Sequence, residues 1–277
     1  MLIAQLTDTH VRPEGLPAYR VSETNMMTER ALHCIARLSP KPDVVMITGD
    51  ITDNGLATEY QCFARLVEES GISTPLLIPG NHDRRDEMRQ HLPFLAHYVR
   101  DEEFIHYVID KFPLRLVMLD TVQPGHSHGQ LCEKRLNWLE QTLAQATDRP
   151  TLIAMHHPPF ATGIAHMDEI ALAAPEAFTA IIARHPQVRL IVCGHVHRPV
   201  YTMIAHCPVM ISPSATHQVN FDLTQPGRRG GLVLEPPAFA IHHWHNDKIV
   251  SHVALVEAFP GPFPFMLDSS YPGEHAG

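Results

Sequence analysis

Three things are scarce in this 277-residue chain: runs of basic residues, paired cysteines and long apolar stretches. Acidic residues outnumber basic ones, 30 against 21, for a formal net charge of -9. With no Lys/Arg run, a surface that coats nucleic acid is excluded, and no duplex partner is expected. No apolar stretch reaches the roughly 18 residues needed to span a bilayer, so no membrane segment is expected. The five cysteines (Cys34, Cys62, Cys132, Cys193, Cys207) are scattered, odd in number and form no Cys-x-x-Cys. That excludes a disulfide framework and fits a reducing compartment. The N-terminus opens directly on an apolar strand pattern, without the basic flank and apolar core of a signal peptide, so a cytoplasmic location is expected. No internal repeat is present. Histidine is the residue in excess, at 21, equal to Lys and Arg combined.

The first two-thirds of the chain alternate strand and helix patterns. Apolar runs at Leu2 to Leu6, Asp43 to Ile47, Pro75 to Ile78, Thr151 to Met155 and Val188 to Cys193 read as buried strands. Leu114 to Asp120 joins Phe104 to Asp110 as a hairpin. Helical spacing marks Met27 to Leu38, Ala57 to Ser70, Arg84 to Tyr98 (interrupted near Pro93), Glu133 to Ala146 and Pro175 to Arg184. Val11 to Asn25, with Pro13, Gly15 and Pro17, reads as a loop. After Pro199 six short strand patterns follow, and a Pro/Gly-rich tail begins at Phe259. The expectation is an α/β fold, a four-layer αββα sandwich of two mixed sheets flanked by helices, with a mostly-β C-terminal part. Its expected divisions are a core over 1–198, strands completing the second sheet over 199–258, and the tail over 259–277.

Chemistry gathers where strands end. Asp8-Thr9-His10 closes the first, Gly49-Asp50-Ile51-Thr52-Asp53 the second and Gly80-Asn81-His82-Asp83 the third. His156-His157 and Gly194-His195-Val196-His197 close two later ones. Ligands of open α/β sheets bind at the carboxyl ends of strands, so these clusters should share one edge. Asp, His and Asn converging on one edge suit a divalent metal site, and Asp50, between clusters from both sides, is the natural bridging carboxylate. His195 and His197 lie two apart and should point to opposite sides, one for each of two metals.

Taken together, Asp8-x-His10, Gly49-Asp50-x-x-Asp53, Gly80-Asn81-His82-Asp83, His156 and Gly194-His195-x-His197 resemble the calcineurin-like metallophosphoesterase signature. The start Asp8-Thr9-His10-Val11-Arg12, the run Met155-His156-His157-Pro158-Pro159 and Thr216-His217-Gln218-Val219 resemble bacterial glycerophosphodiesterases, which group with class III cyclic nucleotide phosphodiesterases. The resemblance implies two divalent ions, of Fe, Mn, Zn or Co type. Asp8, His10, Asp50 and His197 would hold the first, and Asp50, Asn81, His156 and His195 the second. His82 would face the phosphate together with Asn81, and His217 would line the substrate pocket. The implied activity is hydrolysis of a small phosphodiester, glycerophosphodiester or 3',5'-cyclic nucleotide, by in-line attack of a metal-bridging hydroxide. A phosphomonoesterase or phosphonate monoester hydrolase on the same centre is the alternative.

A lone histidine on an apolar face is usually structural, and several here carry that reading. His157 stands between a supporting and a purely structural role. Asp53 and Asp83 both stand near enough in sequence to orient an imidazole. His242, His243 and His245 read as surface or interface residues rather than a third metal site, His126 and His128 as solvated, and His91, His97 and His185 as surface residues on helices. The apolar strands of the last third should leave an open sheet edge, and a homo-oligomer built from dimers is expected from it.

Overall fold

The computed structural model describes residues 1–224 and 230–264. In chain order the elements are β1 (Leu2–Leu6), α1 (Thr24–Ala36), β2 (Val44–Thr48), α2 (Ala57–Ser70), β3 (Leu76–Ile78), α3 (Arg85–His91), β4 (Tyr107–Ile109) and β5 (Arg115–Leu119). Then come α4 (Glu133–Ala144), β6 (Thr151–Met155), α5 (Ala165–Asp168), α6 (Glu176–Arg184) and β7 (Val188–Cys193). The strands β8 (Val200–Ile204), β9 (Cys207–Ile211), β10 (Gln218–Val219), β11 (Leu232–Val233), β12 (Ala238–His245) and β13 (Lys248–Leu255) close the described chain.

Two sheets form, in the orders β13-β12-β1-β2-β3 and β4-β5-β6-β7-β9-β8. Both are mixed. β1, β2 and β3 run parallel, as do β5, β6, β7 and β9, while β12, β13, β4 and β8 pair antiparallel at the flanks. Strand alternation explains the layering. Leu116, Met118, Leu152, Ala154, Leu190 and Val192 of the second sheet join one core with the first sheet and helices α1 and α2. The intervening Val117, Leu119, Ile153, Met155, Ile191 and Cys193 pack with Leu139, Leu143, Phe178 and Ile182 of α4 and α6. The result is helix, sheet, sheet, helix.

Three expectations change. The strands after residue 199 do not all complete the second sheet: β8 and β9 do, whereas β12 returns beside β1 and carries β13 to the outer edge of the first. Among the described residues Gln218–Val219 and Leu232–Val233 pair with each other as a small ribbon apart from both sheets, which Asn220 extends by donating to the Gly231 carbonyl at 2.8 Å. The loop after β1 gives way to helix at Thr24, whose hydroxyl donates to the His10 carbonyl at 2.7 Å and ties α1 to the strand end. Of the tail read over 259–277, residues 265–277 lie outside the described residues.

Candidate metal centre

The loops that leave β1, β2, β3, β6 and β7 meet at the seam between the sheets. Their backbones are strained where it matters. Asp8, His10, Asp50, His195 and His197 all adopt positive φ, at 54°, 43°, 47°, 72° and 60°. Each such non-glycine residue costs on the order of 1–3 kcal/mol and persists only when its surroundings enforce it. His195 and His197, expected from their spacing of two to point to opposite sides as on a strand, are set instead by left-handed turns. Glycine supplies the clearance. A methyl group on Gly80 would lie 2.2 Å from Asp50 Oδ1, and one on Gly194 would lie 2.0 Å from Thr7 Oγ1.

Hydrogen bonds fix the imidazoles with one nitrogen turned inward. His156 Nδ1 donates to the Thr48 carbonyl at 2.7 Å, and His197 Nδ1 to the His217 carbonyl at 2.8 Å. Each Nε2 then faces the chamber, a lone pair in the neutral imidazole that binds metal, and on His156 a site that holds a proton in place of a cation. That of His156 faces Asn81 Oδ1 at 3.2 Å and Asp50 Oδ2 at 3.4 Å. That of His197 faces His10 Nε2 at 3.2 Å and Asp8 Oδ1 at 3.4 Å. His195 Nε2 is buried with no hydrogen-bond partner among the described residues. The chamber is lined almost wholly by acceptors, which repel one another unless a cation lies among them. A divalent ion satisfies that donor set, and the residues fit one.

The electrostatics point the same way. Burial disfavours charge on His156, yet the neighbouring Asp50 carboxylate, with Asp8 behind it, raises its pKa to about 9. Burial also opposes the Asp50 charge, but the imidazoles of His156 and His82 hold that carboxyl well below its ordinary range. The chamber thus draws positive charge in. Burial and adjacent imidazoles lower His197 to about 3 and His217 to about 2. Neutral imidazole and ionised carboxylate are the forms that bind metal, so an entering cation displaces the proton on His156 and offsets the burial that raises Asp8 to about 6.

Among the described residues four groups of close His and Asp ligand atoms form, two of which, His10 with His197 and His217 and His10 with Asp53 and His82, overlap at His10, and the other two bear on the metal sites. Asp8, His10, Asp50 and His197 make one; His156, His157 and His195 make another. Asp50 Oδ2 lies 3.7 Å from His10 Nε2 and 3.4 Å from His156 Nε2, between the two. His157 is occupied elsewhere: its Nε2 donates to the Ser127 carbonyl at 3.2 Å and its Nδ1 meets Thr121 Oγ1 at 2.8 Å. Both nitrogens are engaged, so it braces the Thr121–Gly129 loop against the centre.

Asp53 and Asp83 divide the supporting work. Asp53 Oδ1 lies 3.3 Å from His10 Nδ1, and its carbonyl accepts from His82 Nδ1 at 2.6 Å. Asp83 accepts from the backbone of Ile51, Thr52 and Gly80 and from the Tyr60 hydroxyl, bracing the Asp50 turn. A cavity of ≈ 400 Å³ opens over His10, Asp50, Asn81, His82, His195, His197 and His217. Tyr19, His166 and Leu232 also line it. Sequence reasoning missed these three because they lie on loops or short elements with no motif around them.

Among the other histidines, His185 is buried rather than on the surface, its Nε2 3.0 Å from Glu140. His242 is buried too, while His243 and His245 are exposed on the opposite face of β12.

A calcineurin-like phosphoesterase family profile matches residues 1–199. A protein of Arcobacter nitrofigilis named "Probable glycerophosphodiester phosphodiesterase GpdQ" is 35% identical over 268 residues, covering 96% of this chain and 97% of its own. A "Probable cyclic nucleotide phosphodiesterase" of Rhodopseudomonas palustris is 36% identical over 278 residues, covering 97% of each. A dimetal phosphatase from Danio rerio shares the fold with a TM-score of 0.68 at 15% identity, over 93% of this chain and 96% of that one. On the extent of the profile match and of these relatives, the chain belongs to the calcineurin-like phosphoesterase family.

Proposed function

We propose that the chain is a metal-dependent phosphodiesterase acting on small diesters of the glycerophosphodiester or cyclic nucleotide type. The observation that carries this reading is the acceptor-lined chamber at the seam. Asp8, His10, Asp50 and His197 would hold one divalent ion, and Asp50, Asn81, His156 and His195 a second. When bound, such ions supply Lewis-acid charge that neutralises the phosphate and acidifies a nucleophilic water. Iron, manganese, zinc and cobalt all suit this donor set.

The chain's own groups do the rest. His82, with Nδ1 committed to the Asp53 carbonyl, has Nε2 free to hold a phosphoryl oxygen or to pass a proton to the departing alcohol. Asn81 and His217 line the same cavity and orient the substrate.

Charge favours a diester over a monoester. Among the described residues lining the ≈ 400 Å³ cavity, none is Lys or Arg. Of the arginines beside the motifs, Arg12 is engaged with Asp53 and Glu59, Arg85 with Asp120 and Arg198 with Glu235, while Arg84 lines the adjoining cleft and not this cavity. A dianionic monoester gains more from a cationic clamp beyond the metal ions than a monoanionic diester does. The two relatives named above carry diesterase names, which fits.

The five free cysteines support a cytoplasmic setting. The outer strand β13, with Val250, Val253 and Leu255 exposed, supports a homo-oligomer built from dimers.

The test is turnover, with each metal in turn, of bis(4-nitrophenyl) phosphate, 4-nitrophenyl phosphate, cyclic AMP and glycerophosphoethanolamine. Diesters should be preferred. A higher kcat/KM for the aryl monophosphate with every metal would overturn the reading.

A further inference from the structure

A second and larger cleft, ≈ 760 Å³, adjoins the metal-centre cavity, and Asn81 and His82 line both. Resting on the diesterase reading, we infer that this cleft receives the leaving alcohol and that Arg84 is a specificity residue for an anionic substituent on that alcohol.

Hydrolysis places a water oxygen on phosphorus and breaks the bond from phosphorus to one ester oxygen. His82 Nε2 delivers a proton to that oxygen, and the proton lost by the water balances it. The departing alcohol therefore starts on the His82 side. His82 stands at the boundary of the two spaces, so the alcohol leaves into the cleft and the retained group stays over the metal centre.

The cleft's charges are mostly committed. Arg85 holds Asp120 through two contacts, at 2.6 Å and 2.8 Å, and Lys134 holds Glu103. Arg89 donates to the carbonyls of Asp101 and Phe104. The guanidinium of Arg84 is exposed and has no partner among the described residues. Its stem runs close beside Gly55. A methyl group on Gly55 would meet Arg84 Cγ at 2.7 Å and the His82 carbonyl at 3.0 Å, so the stem and the His82 backbone crowd one point. The only arginine of the cleft without an acceptor among the described residues thus stands two residues from the proton donor. A guanidinium there pairs with a carboxylate or a second phosphate. Asp86 and Glu102, also exposed and unpaired among the described residues, leave room for a cationic group on the same alcohol.

Two chromogenic diesters separate this from a general role: methyl 4-nitrophenyl phosphate, and its analogue with a carboxylate beside the nitro group of the leaving phenol. The quantity read is the ratio of their kcat/KM values within one preparation, which cancels losses of fold or metal. In R84E the ratio should move about tenfold against the carboxylate probe, and in R84A about threefold. An unchanged ratio in R84E overturns the assignment. Should the native protein turn over neither probe with any metal, the diesterase reading falls separately. Equilibrium dialysis of 5-hydroxy-2-nitrobenzoate then decides on the cleft: weaker binding to R84E than to the native protein supports it, and equal binding overturns it.

Discussion

The two sheets bring different chemistry to one seam. Loops of the first supply both carboxylates, Asp8 and Asp50, along with His10, Asn81 and His82; loops of the second supply only imidazoles, His156, His195 and His197. The negative charge that would hold cations thus sits on one half, and much of the coordinating geometry on the other. Neither half makes the chamber alone, so the spacing between sheets becomes a property of the site. A buried polar bridge spans that seam beside the apolar core the two sheets share. Gln5 on β1 donates from its amide to Thr48 Oγ1 at 2.9 Å within the first sheet and to the Cys193 carbonyl at 3.0 Å in the second. His242 Nε2 donates to Gln5 Oε1 at 2.9 Å, and its Nδ1 meets Ser251 Oγ at 2.8 Å. Thr48 and Cys193 in turn precede the loops that carry Asp50 and His195.

The strongest way to break the comparison is to remove charge from the first half. Asp50→Asn keeps the shape and deletes the shared charge, and kcat at saturating metal should fall at least about a thousandfold. Retention of a tenth of the native rate would show that the second half suffices. A smaller effect is expected at His82, which borders the chamber. His82→Ala should lower kcat by roughly 10²–10⁴, with metal content intact and less loss for nitrophenyl than for alkyl leaving groups. Equal losses for both would remove the proton-donor role and leave phosphate positioning.

The carboxylate asymmetry can be sharpened as well as broken. The group around His156 and His195 has only Asp50 as an anion, shared with the other group. Its ion should bind more weakly, because an amide oxygen is a poorer donor than a carboxylate. Asn81→Asp should tighten that ion about tenfold, read by calorimetric metal titration, and should move the pH–rate profile upward through its added negative charge. Two equally tight sites in the native protein would contradict the asymmetry. The smallest expected effect lies at the bridge. Gln5→Leu removes one partner each from Thr48 Oγ1, the Cys193 carbonyl and His242 Nε2 and should cost about 1–3 kcal/mol of unfolding free energy in urea. Metal retention should drop with it; a stability loss with unchanged retention would make the bridge structural only.

Much of this was legible in the chain, and the pattern of what was not is physical. The candidate ligands stood out because each closes an apolar run, so the sheet's own periodicity placed Asp8, Asp50 and His156 at strand ends. Helix α2 was readable to the residue from its apolar face and from Gly71, which takes φ +76° at its end. The return of β12 to β1 was not readable, because pairing partners far apart in sequence leave no local signal. The positive φ of His195 and His197 escaped for a related reason: such strain is enforced by tertiary contacts. Gln5 and His242 carried no motif, and only the folded register brings residues 237 positions apart to 2.9 Å.

The central claim is that Asp50 joins the halves into one dinuclear centre, and metal counting tests it most directly. Elemental analysis of the native protein, His197→Ala and Asp50→Ala, each equilibrated with excess divalent ion and desalted, should return two equivalents, one equivalent and less than one. Two full equivalents in Asp50→Ala would contradict the account.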